Sequence, residues 1–267
     1  MPPATSIHLA AAFAAAFVAG GINSVAGGGT MISFPTLIAV GMPALLANAT
    51  NTVGIWPGSL GSIWGFRREL ARVHRHYWWL LIPATIGGAI GAILLRLTPS
   101  GVFDWLVPWL VLFATLLFIV QAPVRRRIER YIHHDPLAEH PAHPSGHLAV
   151  IGISMQLLVG VYGGYFGAGI SIIMLAVLGI MGMSDILEMN AMTSILSGGI
   201  NGVAGALFII TGLIQWPYIP VMAVGSLLGG YGAAGVARHI GKTAIRRFII
   251  GWGILIALMM FWRVLQK

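Results

Sequence analysis

Two glycine-rich breaks in apolar runs carry the residue types best suited to chemistry. The first is Gly27-Gly28-Gly29-Thr30, followed by Pro35 and then by Asn48-Ala49-Thr50-Asn51-Thr52. A degraded copy returns as Gly167-Ala168-Gly169-Ile170-Ser171, followed by Asn190-Ala191-Met192-Thr193-Ser194. A helix that starts at such a break presents free N–H groups and roughly half a positive charge, which suits an anion. Thr30 and Ser171 add hydroxyl donors. The candidate substrate-binding set is Gly27, Gly28, Gly29, Thr30, Asn48, Thr50, Asn51, Gly167, Gly169, Ser171, Asn190, Thr193, Ser194 and the deeper Asn201. The competing reading is packing. Small residues let membrane helices approach, and amides bond between helices for about 0.6–2 kcal/mol per contact.

Other chemistries lack their residues. No H-E-x-x-H or serine–histidine–carboxylate set lies in the apolar runs, and no lysine follows the glycines as in a P-loop. No cysteine is present, and no carboxylate sits at the centre of an apolar run, so a carboxylate cage for a divalent cation is not expected. His133, His134, His140, His143 and His147 lie in a proline-rich stretch without a carboxylate partner at helical spacing, and read as a solvated connector. Neither a cofactor nor a metal site nor catalysis is expected.

These residues are positioned by a chain that lipid must solvate. Of 267 residues, 57% are hydrophobic and 8% charged, against about 25% charged in soluble proteins. Ten apolar segments follow: 7–22, 31–40, 44–66, 77–97, 103–121, 147–162, 170–180, 186–211, 216–237 and 244–264. Most approach the ~20 residues a membrane helix needs; 31–40 and 170–180 are too short and read as re-entrant or half-helices. Pro57, Pro83, Pro108 and Pro220 read as helix kinks, and Asp104 and Asp185 as helix caps. The small-residue faces around Gly87, Gly88, Gly91, Gly225 and Gly229 read as packing seams.

An internal repeat organises the segments. Trp79-x-x-Ile82-Pro83-x4-Gly88 matches Trp216-x-x-Ile219-Pro220-x4-Gly225; Gly27-x-Gly29 matches Gly167-x-Gly169, and Asn48-Ala49 matches Asn190-Ala191. The domains are therefore 1–121, a basic linker 122–146, and 147–267. Five segments per half is an odd number, so the second half enters from the opposite side. The expected fold is an all-α polytopic membrane protein with two inverted repeats. Loops 67–76, 122–146 and 238–247 fall on one face and hold twelve of the fifteen Lys and Arg residues. The positive-inside rule makes that face cytoplasmic and both termini periplasmic. The net charge of +8 is then explained by orientation and anionic lipid, with no nucleic-acid partner. The expected partners are a small anion and the bilayer; a homo-oligomer is compatible with the sequence.

At these residues the chain resembles the sulfite exporter TauE/SafE family of membrane permeases. The resemblance rests on Gly20-Gly21-Ile22-Asn23-Ser24-Val25-Ala26-Gly27-Gly28-Gly29-Thr30 with Pro35, on Ala47-Asn48-Ala49-Thr50-Asn51-Thr52 and on Asn190-Ala191-Met192-Thr193-Ser194. It implies a bacterial inner-membrane transporter of sulfite, sulfoacetate or related organosulfonates, working outward. It also implies a departure: where the family's second-half motif is expected to carry a lysine, this chain has Met192 or Thr193. A lost positive charge there would shift the substrate preference. Another small anion, such as a carboxylate or thiosulfate, and a non-transporting membrane scaffold are the alternatives.

Overall fold

The computed structural model describes residues 5–25, 28–134, 146–240 and 242–265. Among them every regular element is helical. The first half holds α1 (Ser6–Val25), α2 (Thr30–Ala39), α3 (Ala44–Gly65), the single turn α4 (Arg67–Leu70), α5 (Leu81–Leu97) and α6 (Ser100–His134). The second holds α7 (Gly146–Tyr165), α8 (Ile170–Ile180), α9 (Ile186–Ile210), α10 (Ile219–Ile240) and α11 (Lys242–Leu265). The ten expected segments are the ten long or half-length helices; α4 is additional. Gly27 lies outside the described residues.

Among the described residues, four helical stretches are long and apolar enough to cross a bilayer alone: Ser6–Asn23, Arg75–Leu97, Ser100–Pro123 and Ile186–Ile210. α3 is 22 residues long, and its apolar character is diluted by Asn48, Thr50 and Asn51. Those three are buried inside the bundle. α2 and α8 have 10 and 11 residues. At 1.5 Å per residue each is about 15–17 Å long, half of a ~30 Å hydrocarbon core.

Packing pairs the two halves. α1 runs along α10 and α5 along α7; α3 meets α10 while α9 meets α5; α3 crosses α9, and α6 lies against α11. Exchanging each first-half helix for its second-half counterpart reproduces this set of neighbours. The two largest contacts are glycine seams. A Cβ at Gly91 would collide with the Val161 carbonyl, and one at Gly229 with the Phe17 carbonyl. Backbones at this range gain dispersion and Cα–H···O contacts that larger residues would forbid.

The outer surface is apolar. Ile86, Ile90, Ile93, Leu94 and Leu97 on α5 are exposed, as are Trp105, Trp109, Leu112, Leu116 and Ile119 on α6 and Leu255, Leu258 and Trp262 on α11. In water such belts would aggregate; in lipid they are the solvated face. Ser33, Asn48, Thr50, Asn51, Thr115, Gln156, Thr193 and Ser226 are buried inside the bundle, while the charged residues Arg67, Arg68, Arg72, Arg75 and Arg96 are exposed near helix ends.

Local details differ from the sequence reading. Pro83 and Pro220 fall in the first turns of α5 and α10, where a missing N–H breaks no helical bond. They start helices instead of kinking them. Pro57 and Pro108 do lie inside α3 and α6. Asp185 caps α9, accepting from the N–H groups of Leu187 (2.7 Å) and Glu188 (3.3 Å). Asp104 does not cap, because α6 already begins at Ser100. That helix also continues through His134, so the first half of the linker is helical: no glycine or proline interrupts it between Pro123 and Pro136. His140 and His143 lie outside the described residues.

Candidate functional site

The two breaks meet at one cavity of about 80 Å³. At about 10–15 Å³ per water it has room for roughly five to eight waters, or a small oxyanion with part of its hydration. Gly28 and Thr30 line it from the first break, and Gly167, Gly169, Ile170 and Ser171 from the second. α3 contributes Ile55, Ser59 and Ser62, α9 contributes Ser194, Ser197 and Asn201, and α1 contributes Asn23. No charged side chain lines it among the described residues, and no cluster of three His, Cys, Asp or Glu residues exists among them.

The backbone fixes how the halves correspond. Gly28 (φ 97°) and Gly169 (φ 77°) are both left-handed, a conformation that costs other residues about 1–2 kcal/mol. Each accepts an N–H three residues on, from Met31 and from Ile172, both at 3.0 Å. The helices that follow end at Gly41 and Gly182, both at φ 91°. Gly28 therefore corresponds to Gly169, and Thr30 to Ser171. The sequence match of Gly27-x-Gly29 with Gly167-x-Gly169 is one residue out of register. It aligned glycine spacing; Gly167 is left-handed as well (φ 75°), and the equal separation of Gly28 from Gly41 and of Gly169 from Gly182 sets the register. In α3 and α9 the Asn48–Asn190 match holds, and it carries Ile55 onto Ser197 and Ser59 onto Asn201. The cavity is thus lined by equivalent positions from both halves.

Each break is held by a side chain six residues upstream. Asn23 Oδ1 accepts the Gly29 N–H at 2.7 Å. The Tyr162 hydroxyl donates to the Ala168 carbonyl at 2.6 Å. One helix braces both turns: a Cβ on Gly28 would strike the Phe118 ring, and one on Gly169 would lie 3.3 Å from Leu117 Cδ1. Trp56 Nε1 donates to the Gly198 carbonyl at 2.9 Å, tying α3 to α9 beside the cavity.

Free donors remain where a ligand would sit. The backbone N–H groups of Thr30 and Ser171 have no partner among the described residues. The side chains of Thr30, Ser59, Ser62, Ser171 and Asn201 also lack one. Ser194 and Ser197 donate to carbonyls one turn back, those of Asn190 and Thr193, and keep acceptor capacity.

The expected residues divide into two groups. Gly28, Thr30, Gly167, Gly169, Ser171, Ser194 and Asn201 come together at the cavity. Gly29, Asn48, Thr50, Asn51, Asn190 and Thr193 do not line it. Asn48 Nδ2 donates to the Tyr165 carbonyl (2.8 Å), and Thr50 Oγ1 accepts the Gln215 N–H (3.0 Å). Asn190 Nδ2 donates to Ile186 of its own helix (2.7 Å), and the Thr193 hydroxyl to the Asn190 carbonyl (2.9 Å). Sequence reasoning missed Asn23, Ile55, Ser59, Ser62, Ile170 and Ser197. The signal was present: Asn48, Asn51, Ile55, Ser59 and Ser62 recur at steps of three and four, one face of a helix.

The profile of the sulfite exporter TauE/SafE family matches residues 12–260. The chain belongs to that family. It is 30% identical over 247 residues to a probable membrane transporter protein of Haemophilus influenzae, covering 91% of this chain and 90% of the relative. A probable membrane transporter protein ORF9 of Sinorhizobium is 28% identical, covering 94% and 91%. The probable membrane transporter protein YfcA of Escherichia coli K12 is 29% identical, covering 89% and 84%. No solved structure matches significantly. This TauE/SafE member is thus a multi-pass membrane protein of a transporter family, with a polar, uncharged cavity where its two halves meet.

Proposed function

We propose that the protein is a secondary transporter of small sulfur-containing anions, sulfite or an organosulfonate, and that it moves them outward across the bacterial inner membrane. One observation carries this reading. Thr30 and Ser171, at equivalent positions of two half-length helices, each offer a free N–H and a free hydroxyl at one cavity. Two helix N-termini and four donors form a neutral oxyanion cradle. Ser59, Ser62 and Asn201 complete it. Hydrogen bonds to a charged group contribute about 1.5–3 kcal/mol each, so a handful can replace a hydration shell without a lysine.

The exchanged packing of the halves supports inverted repeats that rock about the cavity in alternating access. The basic loops put the cytoplasm on the side of Arg67, Arg68, Arg72 and Arg75, with both termini periplasmic. An anion leaving a cell that is negative inside gains about 2.3 kcal/mol per charge per 100 mV, so efflux needs no ATP.

The test is flux from reconstituted vesicles. Sulfite or sulfoacetate should leave protein-containing vesicles faster than protein-free ones, and Ser59→Ala with Asn201→Ala should slow it. Thiosulfate and acetate serve as competitors, because neutral donors alone carry no sulfur-specific contact. If none of these anions moves and Gly28→Leu behaves like wild type in cells, the protein is a scaffold and not a carrier.

A further inference from the structure

One set of buried polar atoms is left over by the anion cavity. Asn48 and Asn51 are each 1% exposed, and the side-chain oxygen of each has no hydrogen-bond partner. The Asn48 amide is oriented by its bond to the Tyr165 carbonyl, so its Oδ1 faces the other way. Leaving such an oxygen buried and unbonded costs about 1–3 kcal/mol. Two on one face, three residues apart, need a common explanation. Residues at that spacing are neighbours on a helix, and the same face continues to Ile55 and Ser59 at the cavity. Asn51 and Ile55 are separated by about 6 Å of helical rise.

Two further features give the missing partner its sign. Tyr165 is the last residue of α7, so Asn48 sits against the carbonyl end of a helix, where the dipole favours a cation. The unbonded oxygens are those of the two amides, and no group of three His, Cys, Asp or Glu lies among the described residues. Hard neutral oxygens without a formal charge suit a monovalent alkali cation; divalent ions call for carboxylates. The second half lacks the arrangement. Asn190 bonds its own helix, and Thr193 stands in the place of Asn51.

We infer that Asn48 and Asn51 form a sodium-type cation subsite on α3, one turn beyond the anion cavity. The cation supplies the positive charge that the cavity's own side chains lack. By linkage each ion raises the affinity for the other. This rests on the anion reading for its purpose but not for its test.

The experiment is thermal unfolding of the full-length protein in detergent with no substrate anion, in sodium chloride against choline chloride at equal ionic strength. Sodium should raise the midpoint saturably. Asn51→Thr copies the residue the second half already uses, and should raise the half-saturating sodium concentration by at least about tenfold. Asn51→Asp keeps the oxygen, adds a charge, and should retain or tighten sodium binding. A wild-type midpoint identical in the two salts overturns the subsite, and so does an undiminished sodium effect in Asn51→Thr. Either result can occur in a protein that still transports sulfite. A sodium shift that survives while no anion moves defeats the transport reading alone.

Discussion

The two amide clusters occupy equivalent places and behave differently. In the first half Asn48 reaches across to the carbonyl end of α7, and Asn51 keeps a buried oxygen unbonded. In the second half Asn190 closes on its own helix, and Thr193 and Ser194 both donate to its carbonyl. The breaks differ in the same way. Asn23 accepts the N–H of Gly29, whereas Tyr162 donates to the carbonyl of Ala168. The backbone thus repeats while its polar atoms are satisfied differently. A repeated frame positions the site, and an unrepeated set of hydrogen bonds makes its two sides chemically distinct.

The largest test of that comparison is at the left-handed turns. Both substitutions carry left-handed strain; Gly28→Ala adds a collision with the Phe118 ring, while Gly169→Ala adds only a tight 3.3 Å contact with Leu117 Cδ1 that a small shift relieves. Gly28→Ala should abolish flux and lower the unfolding midpoint; Gly169→Ala should reduce both less. Adding Phe118→Ala should recover part of the Gly28→Ala defect, leaving the about 1–2 kcal/mol of strain. Equal defects at the two glycines would mean that Phe118 does not distinguish the breaks.

Next in size are the asymmetric amides. Asn48→Leu strands the Tyr165 carbonyl and should cost about 1–3 kcal/mol in reversible unfolding, by denaturant or SDS titration. Asn190→Leu removes a bond to its own helix and should cost about 0.5 kcal/mol or less, since the Ile186 carbonyl keeps other routes to satisfaction. A reversed order would show that the cross-half bond carries no special weight.

The cavity residues should show a smaller effect and, unlike the amides, a symmetric one. Ser59→Ala and Asn201→Ala remove equivalent side chains from opposite halves. Each should raise the half-saturating anion concentration about tenfold, the size of one hydrogen bond to a charged group, without changing the unfolding midpoint by more than a degree or two. If one variant is silent, the anion touches only one half. The smallest effect belongs to Gly61, where a Cβ meets nothing within 4 Å. Gly61→Ala should leave flux unchanged and add up to about 1 kcal/mol of helix stability.

Much of the fold was legible because its causes are local. Apolar length marks a membrane helix, and a ten-residue run ending in glycine marks a half-helix. The repeat survives as Trp79/Trp216 and Pro83/Pro220. The register of the breaks was less legible, because any of three consecutive glycines can supply a bend, and it is the left-handed Gly28 of the structure that locates one. Among polar residues the division into lining and packing was hardest to read. Thr50 and Ser59 look alike as isolated residues in an apolar helix. Their fates diverge because one faces the 213–215 loop and the other the cavity.

The sequence by itself determined that this is a helical membrane protein with two related halves, broken within Gly27-Gly28-Gly29 and within Gly167-Ala168-Gly169, because hydropathy, glycine content and spacing act within a single segment. Only the tertiary structure decided which face of α3 meets α9, and therefore that Ser59 and Asn201 share a cavity while Asn48 bonds Tyr165. The rotation of a helix about its axis is set by what packs against it. For α3 that is Met222 and Ser226 of α10 against Gly54 and Gly58, and Trp56 against Gly198 and Gly202 of α9, and such contacts join residues far apart in the chain.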